Sequence, residues 1–167
     1  MTITAAEKVD LVPVDMAWRG IELCRADRWQ EGLYWLGLTA ESTCQTSELP
    51  SQFFAYLGYG LVRYQGESDQ GLTLCRRAVG LDFYEAENYE LLARAWLVTG
   101  DRRSAVQTVV RGLQVDAAHA GLLRLRNELG QRRRPVIPFL SRRHVLNRTL
   151  GRWRHRLLSR RVSTRSE

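Results

Sequence analysis

The sequence holds few of the residues that chemistry needs. Its three histidines, His119, His144 and His155, do not pair with cysteine or aspartate at a metal-ligand spacing. Its three cysteines, Cys24, Cys44 and Cys75, are odd in number and form no CxxC, which excludes a disulfide framework and a zinc site and fits a reducing compartment. Cys75 reads as an inert core thiol. Neither GxxxxGK[ST] nor GxSxG occurs. Gly58-Tyr59-Gly60 opens like a dinucleotide loop, but the surrounding pattern is helical with no preceding strand, so close helix packing explains it better. No run approaches the ~20 apolar residues that cross a bilayer. The stretch Met1 to Val14 carries Glu7 and Asp10 and does not read as a signal peptide. The expectation is therefore a protein without catalytic residues, cofactor or metal. It is expected in the cytoplasm, with a peripheral place at the inner membrane surface as the alternative.

Lysine is also nearly missing. Of 25 basic residues 24 are arginine, and Lys8 is the exception. Such a bias follows a GC-rich genome and favours a bacterial source. The net charge of +7 hides a strong asymmetry. Residues 1–130 carry 13 basic and 17 acidic side chains, a net −4, whereas residues 131–167 carry 12 arginines and one glutamate, a net +11. A mildly acidic body thus bears a basic tail, which suits an acidic partner, nucleic acid or anionic lipid.

What is present is a repeat. Tyr89, Leu92, Ala93 and Trp96 fall on one helical face, Gly100-Asp101 makes a turn, and Ala105, Val109, Gly112 and Leu113 form a second face closed by Asp116. A step of 34 residues back from Gly100 reaches Gly66, and the same step relates Ala105 to Gly71, Val109 to Cys75, Gly112 to Ala78 and Asp116 to Asp82. The helix before Gly66 offers Phe54, Leu57, Gly58 and Leu61 displaced by one position, which predicts a one-residue insertion near Tyr64-Gln65. A third copy supplies Met16, Gly20, Leu23, Gly32 and Leu36, with Asp27 where glycine would stand and Arg28-Trp29 at the turn. Between these copies, Ser42 to Pro50 reads as a connector whose proline starts the next helix. The paired small residues Gly20/Gly32, Gly58/Gly71 and Ala93/Ala105 would let two helices of one unit approach closely.

These positions resemble the tetratricopeptide-repeat (TPR) family over roughly residues 14 to 120. The resemblance implies an all-α, TPR-like α-solenoid of helix–turn–helix repeats. It divides the chain into an N-terminal arm (1–13) and a repeat domain (14–130) with repeats at about 14–50, 51–84 and 85–118. A capping helix (119–130) ends at Gly130. The resemblance also implies a peptide-binding groove lined by the first helix of each unit. Its exposed inner positions would be Ile21, Arg25, Tyr59, Arg63, Glu90 and Arg94, of which Arg25, Tyr59, Arg63, Glu90 and Arg94 are the candidate partner contacts. The arginines would meet a carboxylate or acidic peptide over the ring of Tyr59. Ala17, Ile21 and Glu87 stand near the places of the Lys/Asn set that clamps a terminal carboxylate in some family members, so that role is not implied.

The basic tail (131–167) opens with Arg132-Arg133-Arg134-Pro135 and a short apolar arm, Val136 to Leu140. An amphipathic helix is predicted over about 142–161. Val145, Leu146, Leu150, Trp153, Leu157 and Leu158 form its stripe, and Arg142, Arg143, Arg148, Arg152, Arg156 and Arg160 lie among its basic positions. These arginines and Trp153 are candidate contacts to nucleic acid, an anionic membrane or an acidic protein. The stripe could equally cap the last repeat. Three functions follow as expectations: an adaptor or scaffold binding a protein or peptide in the groove, a nucleic-acid or anionic-membrane binder acting through the tail, and a small chaperone for a secreted client.

Overall fold

Of the four described residues with left-handed backbone, three stand between paired helices: Asp27 (φ 62°), Gly66 (φ 76°) and Gly100 (φ 83°). They are the turn positions of the three copies. Glycine adopts this conformation without steric cost, and aspartate is among the few other residues that tolerate it. Asp27 also accepts a hydrogen bond from Trp29 Nε1 at 2.9 Å, which fixes its side chain over the turn.

The computed structural model describes residues 12–42 and 49–130. Most of the N-terminal arm, residues 43–48 of the connector with Cys44, and the basic tail with all its candidate contacts lie outside the described residues. The helices are α1 (Pro13–Arg25), α2 (Trp29–Ser42), α3 (Ser51–Gly60), α4 (Ser68–Leu81), α5 (Ala86–Val98), α6 (Arg102–Val115) and α7 (Ala120–Leu129). There is no strand among the described residues. The helices pack in neighbouring pairs, α1 on α2, α3 on α4 and α5 on α6, while α1, α3, α5 and α7 also meet one another in sequence.

Local chemistry sets these boundaries. Pro13 occupies the first turn of α1, where a missing N–H leaves no bond unmade. Pro50 stands one position earlier relative to its helix than expected, as the extended N-cap residue of α3. Asp101 caps α6 by accepting from Ser104 N at 3.0 Å. The α4–α5 and α6–α7 connections have the same construction 34 residues apart. Asp82 accepts from Tyr84 N and Asp116 from Ala118 N, both at 2.9 Å. Gly130 (φ 69°) ends α7, and Arg102 donates to the carbonyl of Leu129.

The insertion expected near Tyr64-Gln65 takes a definite form. After Gly60 the α3 helix continues as a π turn, Leu61–Gln65, before Gly66 breaks it. A π turn holds one residue more than the α-helix it interrupts. The repeat register is therefore lost and recovered within these five residues.

Close approach within the pairs depends on absent side chains. A Cβ on Gly58 would lie 2.6 Å from the carbonyl oxygen of Gly71, and one on Gly71 would lie 2.5 Å from that of Gly58. A Cβ on Gly32 would stand 2.9 Å from the carbonyl oxygen of Gly20. In the third pair Ala93 and Ala105 are fully buried. Ile21 and Leu36 pack together in the core on the side of the first pair, and Val109 and Leu122 pack with Ala93 and Ala105, all four nearly or fully inaccessible. Each such aliphatic side chain contributes about 1.5–3 kcal/mol by leaving water. Asn88, wholly buried, ties three helices by donating to Ser51 Oγ (2.9 Å) and to the carbonyl of Ala78 (3.3 Å).

Gly37 in α2 and Gly80 in α4 lack this role, since a Cβ on either meets nothing within 4 Å. Gly37→Ala and Gly80→Ala are each expected to stabilise the fold by about 0.5–1 kcal/mol through helix propensity. Urea denaturation reads this, and a loss of stability would show that these helices carry a hidden contact.

Candidate functional site

The helices α1, α3, α5 and α7 present two neighbouring clefts. The first, about 240 Å³, is lined by residues of α1, the turn after it, the start of α2, α3 and α5, among them Arg25, Asp27, Trp29, Tyr56, Glu87 and Arg94. The second, about 310 Å³, is lined by Tyr59 and Arg63 from the α3 segment, Arg94, Leu97 and Val98 from α5, and Arg124, Leu125 and Glu128 from α7. Arg94 borders both.

The first cleft is built on Glu87. Arg25 Nε donates to Glu87 Oε1 at 2.9 Å and Arg25 Nη2 approaches Oε2 at 2.5 Å, a two-pronged pair between α1 and α5. Tyr56 Oη donates to Glu87 Oε1 at 2.6 Å, so α3 joins the same carboxylate. Glu87 is itself held by its backbone N–H, which donates to Glu85 Oε1 at 3.2 Å, while Gln52 Nε2 fixes Glu85 from α3 at 2.7 Å. Burial pushes the Glu87 carboxyl up, but the bonds from Arg25 and Tyr56 outweigh it and hold the group below its ordinary range. The bond to Glu87 raises the Arg25 guanidinium, and burial followed by the same bond raises the Tyr56 phenol. At neutral pH Glu87 is thus a carboxylate gripped by two donors.

An aromatic cluster forms the wall toward the second cleft. Trp29 has Tyr56 at 5.8 Å, Tyr59 edge-on at 5.2 Å and Tyr64 at 5.8 Å between ring centroids. Burial raises the Tyr59 phenol, so its hydroxyl stays protonated. Cys24 lines the first cleft, yet burial pushes its thiol up to about 12, and Cys75 is raised likewise. Neither is a ready nucleophile. No group of three or more His, Cys, Asp and Glu side chains among the described residues is placed to hold a metal ion.

All five groove residues singled out in the sequence line these clefts, Arg25 and Glu90 in the first, Tyr59 and Arg63 in the second, and Arg94 in both. Two expectations of exposure are corrected. Ile21 is fully buried, packed with Ala17, Cys24 and Leu36 in the core under α1. Glu90 is 9% exposed rather than open to solvent. It pairs with Arg94 one turn on and lies 3.5 Å from His119 Nδ1. Gly121 makes this possible, because a Cβ there would stand 1.8 Å from Glu90 Oε2. Sequence reading missed Trp29 and Tyr56 as site residues and Glu87 as the hub. Glu87 and Arg25 are 62 positions apart, and no local pattern joins them.

Among the described residues, no helix is long and apolar enough to cross a membrane. No protein-family model matches the chain, and no curated protein matches it.

Proposed function

We propose that this chain is a non-catalytic, TPR-type interaction module, an adaptor or scaffold whose inner groove receives a segment of a partner protein. In this reading the helix pairs form a short solenoid and α7 covers its end, so that α1, α3, α5 and α7 line one inner surface. The observation that carries the reading is the meeting of two clefts along those helices, with every selected groove residue on their walls. Aromatic rings, guanidiniums and half-buried aliphatic side chains side by side are the composition of a protein-binding surface. The site of action is the cytoplasm.

Site-specific photo-cross-linking tests it. A photoreactive residue replacing Tyr59 is expected to trap a protein partner in source cells, and the same residue replacing Gln114, exposed on α6 away from both clefts, is expected to trap none. Adducts from Gln114 alone would sink the groove reading. A second reading, nucleic-acid or anionic-membrane binding, rests on the net +11 of residues 131–167. It requires affinity for an oligonucleotide or anionic vesicle that falls steeply with salt and is indifferent to the groove.

A further inference from the structure

The two clefts differ in charge, and the difference names a ligand. In the first, two guanidiniums (Arg25, Arg94) face three carboxylates (Asp27, Glu87, Glu90). Those charges are engaged already: Arg25 with Glu87, Arg94 with Glu90, and Asp27 with the Trp29 indole. The first of these pairs ties α1 to α5, the second lies within α5 and the third is local to the turn after α1. A ligand charge entering there would have to displace an internal partner.

The second cleft is the reverse. Arg63, Arg94 and Arg124 stand against one carboxylate, Glu128. Arg94 is committed to Glu90. Arg63 and Arg124 are exposed and make no ion pair with another described residue. They come from separate elements, the π turn and α7, and between them lie the half-buried Tyr59 and Leu97, the exposed Val98 and the buried Leu125. π turns occur frequently at functional sites, and here one carries Arg63.

We infer that the second cleft anchors an acidic peptide segment of a partner protein, Arg63 and Arg124 meeting its carboxylates while Leu97, Val98 and Leu125 take an adjoining apolar side chain. Guanidiniums form paired hydrogen bonds with carboxylates, whose planar geometry their donor fork matches. A duplex nucleic acid fits less well, since a cleft of about 310 Å³ with an aliphatic floor suits one or two side chains rather than a phosphate backbone. This inference rests on the groove reading above and adds the chemistry of its anchor.

The experiment is fluorescence anisotropy on the full chain with three labelled peptides of equal length, aspartate alternating with leucine, lysine with leucine, and serine with leucine. The acidic peptide is expected to bind best, and the double reversal R63E/R124E to weaken it at least about tenfold. The basic tail is the same in both proteins, so its non-specific attraction cancels from the comparison. Unchanged affinity in the double reversal overturns the proposal, as does equal binding of the lysine peptide or failure of all three. Binding of the serine peptide as tight as the acidic one, lost in Leu97→Asp, overturns the acidic anchor while leaving the groove reading intact. Circular dichroism confirms folding of the variants. Should R63E/R124E fail to fold, Arg63→Gln and Arg124→Gln read the same contrast, with a loss from each expected and no loss from either overturning the proposal.

Discussion

Gly71→Ala is expected to destabilise the fold by about 2–3 kcal/mol, although alanine is the better helix former by about 1 kcal/mol. The added Cβ would stand 2.5 Å from the Gly58 carbonyl oxygen, 2.6 Å from Val62 Cγ2 and 3.1 Å from Val62 N. Two of these neighbours are backbone atoms, so no rotamer change relieves the clash. The α3–α4 pair would have to separate, loosening Cys75, whose thiol donates to the Ala55 carbonyl at 3.5 Å. Leu72 and Val62, packed in the same cluster, would lose contact as well. Gly58→Ala meets the same obstacle from the other side, at 2.6 Å from the Gly71 carbonyl oxygen and 2.9 Å from Cys75 N. Gly80→Ala, on the same helix as Gly71, provides the comparison. Urea denaturation of the full chain should move the two substitutions in opposite directions. If Gly71→Ala matched wild type within about 0.5 kcal/mol, the close approach of these helices would be refuted.

Glu87→Gln is expected to cost about 1–3 kcal/mol near neutral pH, because Arg25 and Tyr56 lose the charged acceptor they share. Arg25 is partly exposed, which keeps the figure below that of a fully buried pair. The dependence on pH has a definite sign. The Glu87 carboxyl titrates below its ordinary 4.5 in the folded protein. Its contribution is therefore complete above that value and disappears as the pH falls through the depressed folded value. Wild type and Glu87→Gln should differ most near neutrality and converge in acid. Denaturation curves at both pH values decide the matter, and a gap that persists well below 4.5 would mean that Glu87 stabilises by shape rather than by charge.

Much of the fold was legible because the features that define it recur at short range. Gly66 and Gly100 marked two turns in the sequence, and Asp27 stood at the third although the residue type had changed; all three prove left-handed. The facing glycines Gly58 and Gly71 were readable from their places in the two copies, since a repeat forces the same packing problem twice. The insertion could be counted but not shaped. A displacement of one residue says that the segment holds an extra unit, while its form as a π turn rather than a looser loop is set by the packing of Leu61 and Val62 in the folded chain. The groove positions came from the family resemblance, and the five chosen contacts fall on the walls of the two clefts. Its failures have a common cause. Ile21 and Glu90 were placed in the open groove by the resemblance alone, whereas Ile21 packs with Leu36 in the core and Glu90 sits against Gly121. The grip of Arg25 on Glu87 depends on how three helix pairs stack, and no periodicity within one helix encodes that.

That grip also bears on how the chain folds. Among the described residues every substantial helix contact joins elements close in sequence, an arrangement of low contact order in which each pair can assemble on its neighbour without a long search. Such a chain would by itself fray from its ends, each terminal pair opening without disturbing the middle. The bonds from Arg25 and Tyr56 to one carboxylate break that independence on one side only. To peel away, α1 must release a partner on α5 that α3 holds as well, so the first two pairs and the start of the third tend to open together. By contrast α7 leans on its immediate neighbours. The described region is thereby given a cooperative unit at its N-terminal side and a freer edge where Arg124 stands.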